Sequence, residues 1–273
     1  LCAVPIGNAR DVTLRTLDIL ASVDIIAAED TRSTRKLMDI HGISIGNRPM
    51  VAYHDHSTIA VRDRLLAVVK EGKSLAYVSE AGTPLVADPG YKLGVDMRAA
   101  GLPLTTAPGA SAVLAALTVS GLPTDAFHFA GFLPNSSTAR RNGLIGLKDL
   151  QATVVLYESP KRIHAMLSDL SDVLGEGRNV VICRELTKKF EEVLTGTVAD
   201  VLDQIDGRTL KGEIVVLIDR GDVAVMNEDD VREALMSAMQ TMRVKDAATA
   251  VAGATGMARR DVYQLALSLK AET

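Results

Sequence analysis

The chain has 273 residues, of which 47% are apolar and 23% charged, and a formal net charge of −4. That composition supplies a sizeable core and excludes wholesale disorder, and the length suits two medium domains with an appendage. The acidic balance excludes nucleic-acid binding through overall basicity, and with no Trp, four Phe and five Tyr base-stacking platforms are not expected.

From Leu1 to about Pro108, short β-rich runs alternate with helical segments. LCAV, DIIAAE, MVAYH, SLAYVS and LPLTTAP read as strands. Between the first two, DVTLRTLDILASV repeats Leu14, Leu17, Leu20 and Ala21 at helical spacing behind Asp11, which is expected as the N-cap. Strand and helix in alternation predict a largely parallel sheet covered by helices. The apolar run AVLAALTVSGL from Ala112 is far shorter than the about 20 residues a bilayer span needs, so it reads as a helix of the core and no membrane partner is expected.

The second half is punctuated differently. FHFAGF, ATVVLYES, NVVICRE, EEVLTGT and GEIVVLID read as strands, with a helix after Ser159. Only five residues separate NVVICRE from EEVLTGT, which predicts antiparallel pairing there. After Gly221, VMNEDDVREALMSAMQ opens with acids suited to a helix N-terminus. Two short helices are then expected around Thr255 and Gly256, with Ala247, Ala250, Val251, Val262, Leu265 and Ala266 as their inner face, at helix-turn-helix spacing. From Arg243 onward five Lys/Arg stand against three Asp/Glu, so the tail is locally basic; a lid or dimer element fits it as well as RNA contact does. The expected divisions are residues 1–118, 119–222 and 227–273. Cys2 and Cys183 are far apart and outside any CxxC, so neither a disulfide framework nor a zinc site is expected, and a reducing cytoplasm fits. No basic segment precedes an apolar one at the start, so no signal peptide is read. Because the chain opens at Leu1 and not Met, a few native residues are expected to precede it.

Several motifs fall at predicted strand ends, where open α/β sheets bind ligands. PIGNARDVTLR, from Pro5, resembles a phosphate loop but lacks the GK[ST] that would seat a phosphate and Mg²⁺, which weakens a nucleotide-hydrolase reading. In AAEDTRSTRKL, the acids Glu29 and Asp30 precede Arg32, Arg35 and Lys36, a grouping able to take a proton and hold a phosphate, or simply to start a solvated helix. VSEAGTPLVADPG places Glu80 and Asp88 in a Gly-rich loop. These acids would repel a triphosphate yet are too few for a hard metal, so a cationic or hydroxyl-rich ligand suits the loop. PGASA, YESPKR, RELTKKFEE and KGE add polar loops from both halves, which together describe a cleft.

Taken in order, PIGNARDVTLR, AAEDTRSTRKL, SEAGTPLVADPG, APGASA, SGLPTDAFHFAGFLP, YESPKR and RELTKKFEE closely resemble the ribosomal RNA small subunit methyltransferase I group, of the tetrapyrrole methylase fold family. The resemblance implies two α/β domains enclosing S-adenosyl-L-methionine in their cleft, with a small helix-turn-helix-like C-terminal tail. It implies 2′-O-methylation of a cytidine in 16S (small-subunit) rRNA, within the 30S subunit, by a cytoplasmic homodimer. By carry-over, Pro5, Glu80, Gly82, Thr83, Ser111, Ala112, Tyr157 and Glu213 are expected to bind the cofactor, and no metal is expected. Glu29 or Asp30 is the expected base, with Arg32, Arg184 and Lys188 holding phosphates flanking the target. The chain departs from the usual pattern at Val4, where the group has Thr, at Glu80, where it has Asp, and at Lys161, where it has His. The alternatives are a tetrapyrrole-type small-molecule methyltransferase of the same fold, whose relatives usually carry a GPG-type loop and no tail, and a non-enzymatic nucleic-acid-binding protein using the tail.

Overall fold

In the first half, helix and strand alternate: α1 (Leu14–Ser22), β1 (Ile25–Ala28), α2 (Thr31–Ile40), β2 (Met50–Ala52), α3 (Ile59–Lys70), β3 (Leu75–Val78) and α4 (Tyr91–Ala99). This is a computed structural model, and it describes residues 1–54, 56–87, 90–221, 228–255 and 257–271. Asp88 of the Gly-rich loop and Gly256 of the tail lie outside the described residues. The strands form a parallel sheet in the order β2-β1-β3. Alternate residues of β1 point to opposite faces. Ile26 packs with Leu20, Met38 and Val78 on one side, while Ile25 and Ala27 pack with Tyr53, Tyr77 and Leu93 on the other, so the sheet is covered on both faces as a parallel sheet requires.

Two expected strands are corrected. LCAV and LPLTTAP make only single bridges, from Cys2 to Val78 and Ala107 and from Val4 to Gly82. Pro5 follows the first run and Pro103 and Pro108 punctuate the second, and a proline has no N–H for a ladder. Asp11 is corrected as well: it closes a 3-10 turn, Ala9–Asp11, and Thr13 is the N-cap of α1, its hydroxyl accepting the Thr16 amide at 3.2 Å.

The second half comprises α5 (Ala112–Ser120), β4 (Phe127–Phe132), α6 (Ser137–Ile145), β5 (Thr153–Glu158), α7 (Ile163–Leu174), β6 (Asn179–Arg184), β7 (Glu192–Thr197), α8 (Val198–Ile205) and β8 (Ile214–Ile218). Its sheet runs β4-β5-β8-β6-β7. β4 and β5 are parallel and the remaining neighbours antiparallel, with β6 and β7 paired as their spacing predicts. Val113, Ala116 and Leu117 of α5 pack on Val155, Val181, Val215 and Leu217, so the helix that follows the first sheet builds the core of the second. Both cysteines are buried and free; burial pushes the Cys183 thiol up to about 12.

By contact density the chain forms two compact units, Leu1–Lys148 with Thr153–Asp219, and Asp149–Ala152 with Arg220–Thr273. The second unit contains α9 (Glu228–Met239), α10 (Val244–Thr255) and α11 (Arg259–Ala271) around Val231, Leu235, Val251, Val262 and Ala266. Ala247 is buried as expected, but Ala250 is exposed and Ala248 takes the inward position, because the α10 stripe runs through 247, 248, 251 and 252. Among the described residues no helix is long and apolar enough to cross a membrane.

Candidate functional site

Two cavities lie within the first unit, at the carboxyl ends of β1, β3 and β5 and beside the loop before β8. The larger, about 570 Å³, is lined by Pro5, Glu29, Ser33, Lys36, Glu80 and Lys188 among others. The smaller, about 350 Å³, is lined by Gly82, Thr83, Ser111, Ala112, Phe132 and Tyr157 with apolar neighbours including Ile214 and Val215. Ile6, Ala81 and Glu213 line both. A charged, open chamber and an apolar, aromatic one therefore meet at a shared wall.

The SEAGTP loop contributes Ala81 to that wall. The Val4 amide donates to the Gly82 carbonyl at 2.9 Å and the Gly82 amide to the Val4 carbonyl at 3.1 Å, which fastens PIGN to the loop. Ser79 Oγ donates to the carbonyls of Ala81 and Gly82 at 3.1 and 3.2 Å, and Thr83 Oγ1 to that of Ala110 at 2.9 Å. Four non-glycine residues have positive φ among the described residues: Leu85 and Ala87 in this loop, Glu185 and Thr187 in RELTKK. Such torsions cost of order 1–3 kcal/mol each and persist only where the surroundings over-determine them. Both strained loops border the cavities.

The two acids of AAEDT have different fates. Glu29 lines the larger cavity, and its Oε2 accepts the Glu80 amide at 2.9 Å. Asp30 instead caps α2. Its Oδ1 accepts the Arg32 amide at 2.7 Å and the Ser33 amide at 3.4 Å, while Arg32 Nη2 donates to Oδ2 at 3.0 Å. The Arg32 guanidinium and these amides hold the Asp30 carboxyl down at about 2. The Arg32 side chain is nevertheless solvated, 91% exposed.

From the second half, Lys188 reaches the larger cavity. Its Nζ donates to Glu185 Oε1 and Glu213 Oε2, each at 2.9 Å, and Glu185 Oε1 also accepts the Glu213 amide at 3.0 Å. Burial opposes the Lys188 charge, but the two carboxylates outweigh it and raise the ammonium above its ordinary value. Burial likewise opposes the Glu185 charge, and the Glu213 amide with Lys188 lowers its carboxyl. Gly7 permits the approach of the two loops: a Cβ there would stand 2.5 Å from Lys188 Cγ and 2.7 Å from Thr187 Oγ1.

Arg184 lines neither cavity. It sits opposite Glu192 in the β6–β7 register, donates through Nε to Glu192 Oε2 at 3.0 Å and through Nη1 to the Lys211 carbonyl at 3.1 Å, and is only 17% exposed. Arg208 shares the same acid. Of the residues expected at the cofactor, Gly82, Thr83, Ser111, Ala112 and Tyr157 come together in the smaller cavity, Pro5 and Glu80 lie in the larger, and Glu213 belongs to both. Ser33 and Phe132 were missed, and Lys36 read only as one of a basic cluster. Ser33 and Lys36 carry a signal, since they lie one turn apart at the start of α2, directly behind Glu29. Phe132 carries its own in the Gly-Phe that ends a strand.

Residues 1–202 match the profile of the Tetrapyrrole (Corrin/Porphyrin) Methylases, and residues 225–270 that of the RsmI C-terminal HTH domain. A Mesorhizobium japonicum protein named ribosomal RNA small subunit methyltransferase I is 43% identical, the match covering 99% of this chain and 91% of that one. The Escherichia coli O157:H7 protein of the same name is 40% identical over 96% and 92%. Among solved structures, a cobalt precorrin-4 methyltransferase superposes with a TM-score of 0.58 at 17% identity, covering 80% of this chain and 92% of that one. A diphthine synthase does so with 0.60 at 16%, covering 80% and 89%. These two likenesses speak to the fold.

Proposed function

The chain belongs to the ribosomal RNA small subunit methyltransferase I family, within the tetrapyrrole methylases, and we propose that it methylates the 2′-hydroxyl of a cytidine in small-subunit rRNA. The observation that carries the reading is the pair of cavities meeting at Ile6, Ala81 and Glu213, one with hydroxyls and apolar walls suited to a nucleoside cofactor, the other with the Glu29 carboxylate placed to take a proton and Lys36 beside it. S-adenosylmethionine, when bound, supplies a methyl group already activated by its sulfonium. The smaller cavity fits it. Hydroxyls at Thr83 and Ser111 answer a ribose, the Glu213 oxygen not bonded to Lys188 answers an ammonium, and among the described residues no basic side chain lines the cavity.

The larger cavity would take the target nucleotide. Glu29 accepts the 2′-hydroxyl proton through the oxygen left beside the one bonded to the Glu80 amide. Asp30 is the poorer base, because its lone pairs are committed to the cap and to Arg32 and its carboxyl is held at about 2. Lys36 offers positive charge to flanking phosphates at the cavity and Arg32 does so from the surface, whereas Lys188, bonded to Glu185 and Glu213, serves to hold the RELTKK loop at the cavity. Phosphate contacts position RNA, while its shape in the assembled 30S subunit specifies the site. Arg184, spent on Glu192, serves to hold the RELTKK loop against β7. A cytoplasmic homodimer is the expected setting.

The test is single-turnover transfer from tritiated S-adenosylmethionine to small subunits lacking the modification, followed by mapping of the labelled nucleotide. Glu29→Gln is expected to slow transfer by about 10² to 10⁴ with cofactor still bound, and Asp30→Asn to leave the rate near wild type. A normal rate in Glu29→Gln removes Glu29 as the base.

A further inference from the structure

Core packing does not account for Phe132. It ends β4 at an edge of the second sheet, stands 58% exposed, and lines the smaller cavity. The strand pairs Phe129 with Val155, but Gly131 with Leu156 and Phe132 with Tyr157, so Ala130 is an extra residue without a counterpart on β5. In an uninterrupted strand, residues three apart face opposite ways. The bulge, with Gly131 at φ +66°, restores Phe132 to the face of Phe129 and Tyr157. Both rings meet Tyr157 edge-on, with centroids 5.0 Å away for Phe129 and 5.5 Å for Phe132. Phe129 packs against the core cluster, whereas Phe132 is turned to the cavity with much of its surface uncovered.

We propose that Phe132 is the ring on which the adenine of the cofactor stacks, and that the Ala130–Gly131 bulge aims it there. The inference rests on the S-adenosylmethionine reading above. A purine presents a flat π-face, and the cavity offers it one aromatic ring braced by a second, with the small apolar walls of Ala112, Ile214 and Val215 beside them. The lysines lie in the other cavity, which suits the target strand and leaves this one to the base of the cofactor. A Cβ added at Gly131 would meet no heavy atom within 4 Å, so a side chain there would act on the bulge torsion alone.

The test is calorimetric titration of S-adenosylhomocysteine into the full chain, with size-exclusion chromatography of each variant. Phe132→Ala is expected to bind about tenfold more weakly, Phe132→Tyr within about twofold of wild type, and Gly131→Val, which resists positive φ, as weakly as Phe132→Ala. Circular dichroism melts identify any variant that has lost its fold, and Phe132→Tyr keeps the comparison sound if Gly131→Val does. Wild-type affinity in Phe132→Ala overturns the inference. So does a rise only in KM for small subunits, which assigns the ring to the target base, or only a change in oligomeric state, which assigns it to a subunit interface. If the wild type binds no S-adenosylhomocysteine, the cofactor reading fails and this inference falls with it.

Discussion

The loop after β4 is held by a buried ion pair whose removal should be costly. Arg140 and Asp169 have side chains only 5% and 10% exposed. Arg140 Nε donates to Asp169 Oδ2 at 2.6 Å, Ser137 Oγ to Oδ1 at 2.7 Å, and Arg140 Nη1 to the Asn135 carbonyl at 3.1 Å. Arg162 holds the same loop from the N-cap of α7, donating to Asn135 Oδ1 at 2.5 Å and to the Leu133 carbonyl at 2.7 Å. Asp169→Ala would strand a guanidinium in the interior, which costs about 3–5 kcal/mol. For a folding unit of this size that is on the order of 10 °C in Tm. Arg140→Met with Asp169→Leu removes both charges and should recover most of the loss. The acid limb follows from the same pair. Burial opposes the Asp169 charge, but Ser137 and Arg140 lower its carboxyl, so its contribution is present above the unfolded value near 3.9 and fades as pH falls through the folded one. Asp169→Ala should flatten that limb. Urea titration followed by circular dichroism, from about pH 3 to pH 7, measures each quantity. A loss under about 1 kcal/mol for Asp169→Ala, or a double variant as unstable as the two singles added, refutes the reasoning.

Lys188→Met should cost on the order of 1 kcal/mol, because Lys188 is 28% and Glu213 74% exposed and solvent weakens the pairs. The raised Lys188 value makes its contribution full below the unfolded pKa and lost as pH rises through the folded one; the lowered Glu185 value does the reverse at acid pH. Stability measured against pH should therefore lose slope at both ends in Lys188→Met, and an unchanged profile would contradict it. Gly7→Ala puts a Cβ into Lys188 and Thr187 and should destabilise by about 1–3 kcal/mol while weakening S-adenosylhomocysteine binding; unchanged urea midpoint and affinity would show that the loops part freely.

Local pattern determined much of this protein. Apolar runs and helical repeats recorded β1, β2, β3 and the strands of the second sheet, and the five-residue gap before EEVLTGT already implied the β6–β7 hairpin. The order of glycine-containing, polar loops pointed to the strand ends at which the two cavities lie, since loops at strand ends are where such sheets hold ligands. Periodicity reports which face of an element is buried, and short loops report where the chain turns. It does not report which distant groups satisfy a given side chain. Glu29 and Asp30 are adjacent and chemically alike, yet one faces a cavity and the other is consumed by the cap of α2. Arg184 reads as a free cation until the register sets Glu192 against it. Lys188 becomes part of a cavity only because the PIGN loop, far away in sequence, comes close enough that Gly7 has no room for a side chain. α5 follows the first sheet in sequence but packs on the second. Phe132 looks like the last residue of an ordinary strand, and only the extra residue in the pairing with β5 turns its ring toward the cavity. Each of these outcomes depends on long-range apposition, and that is the information a linear pattern of residues does not hold.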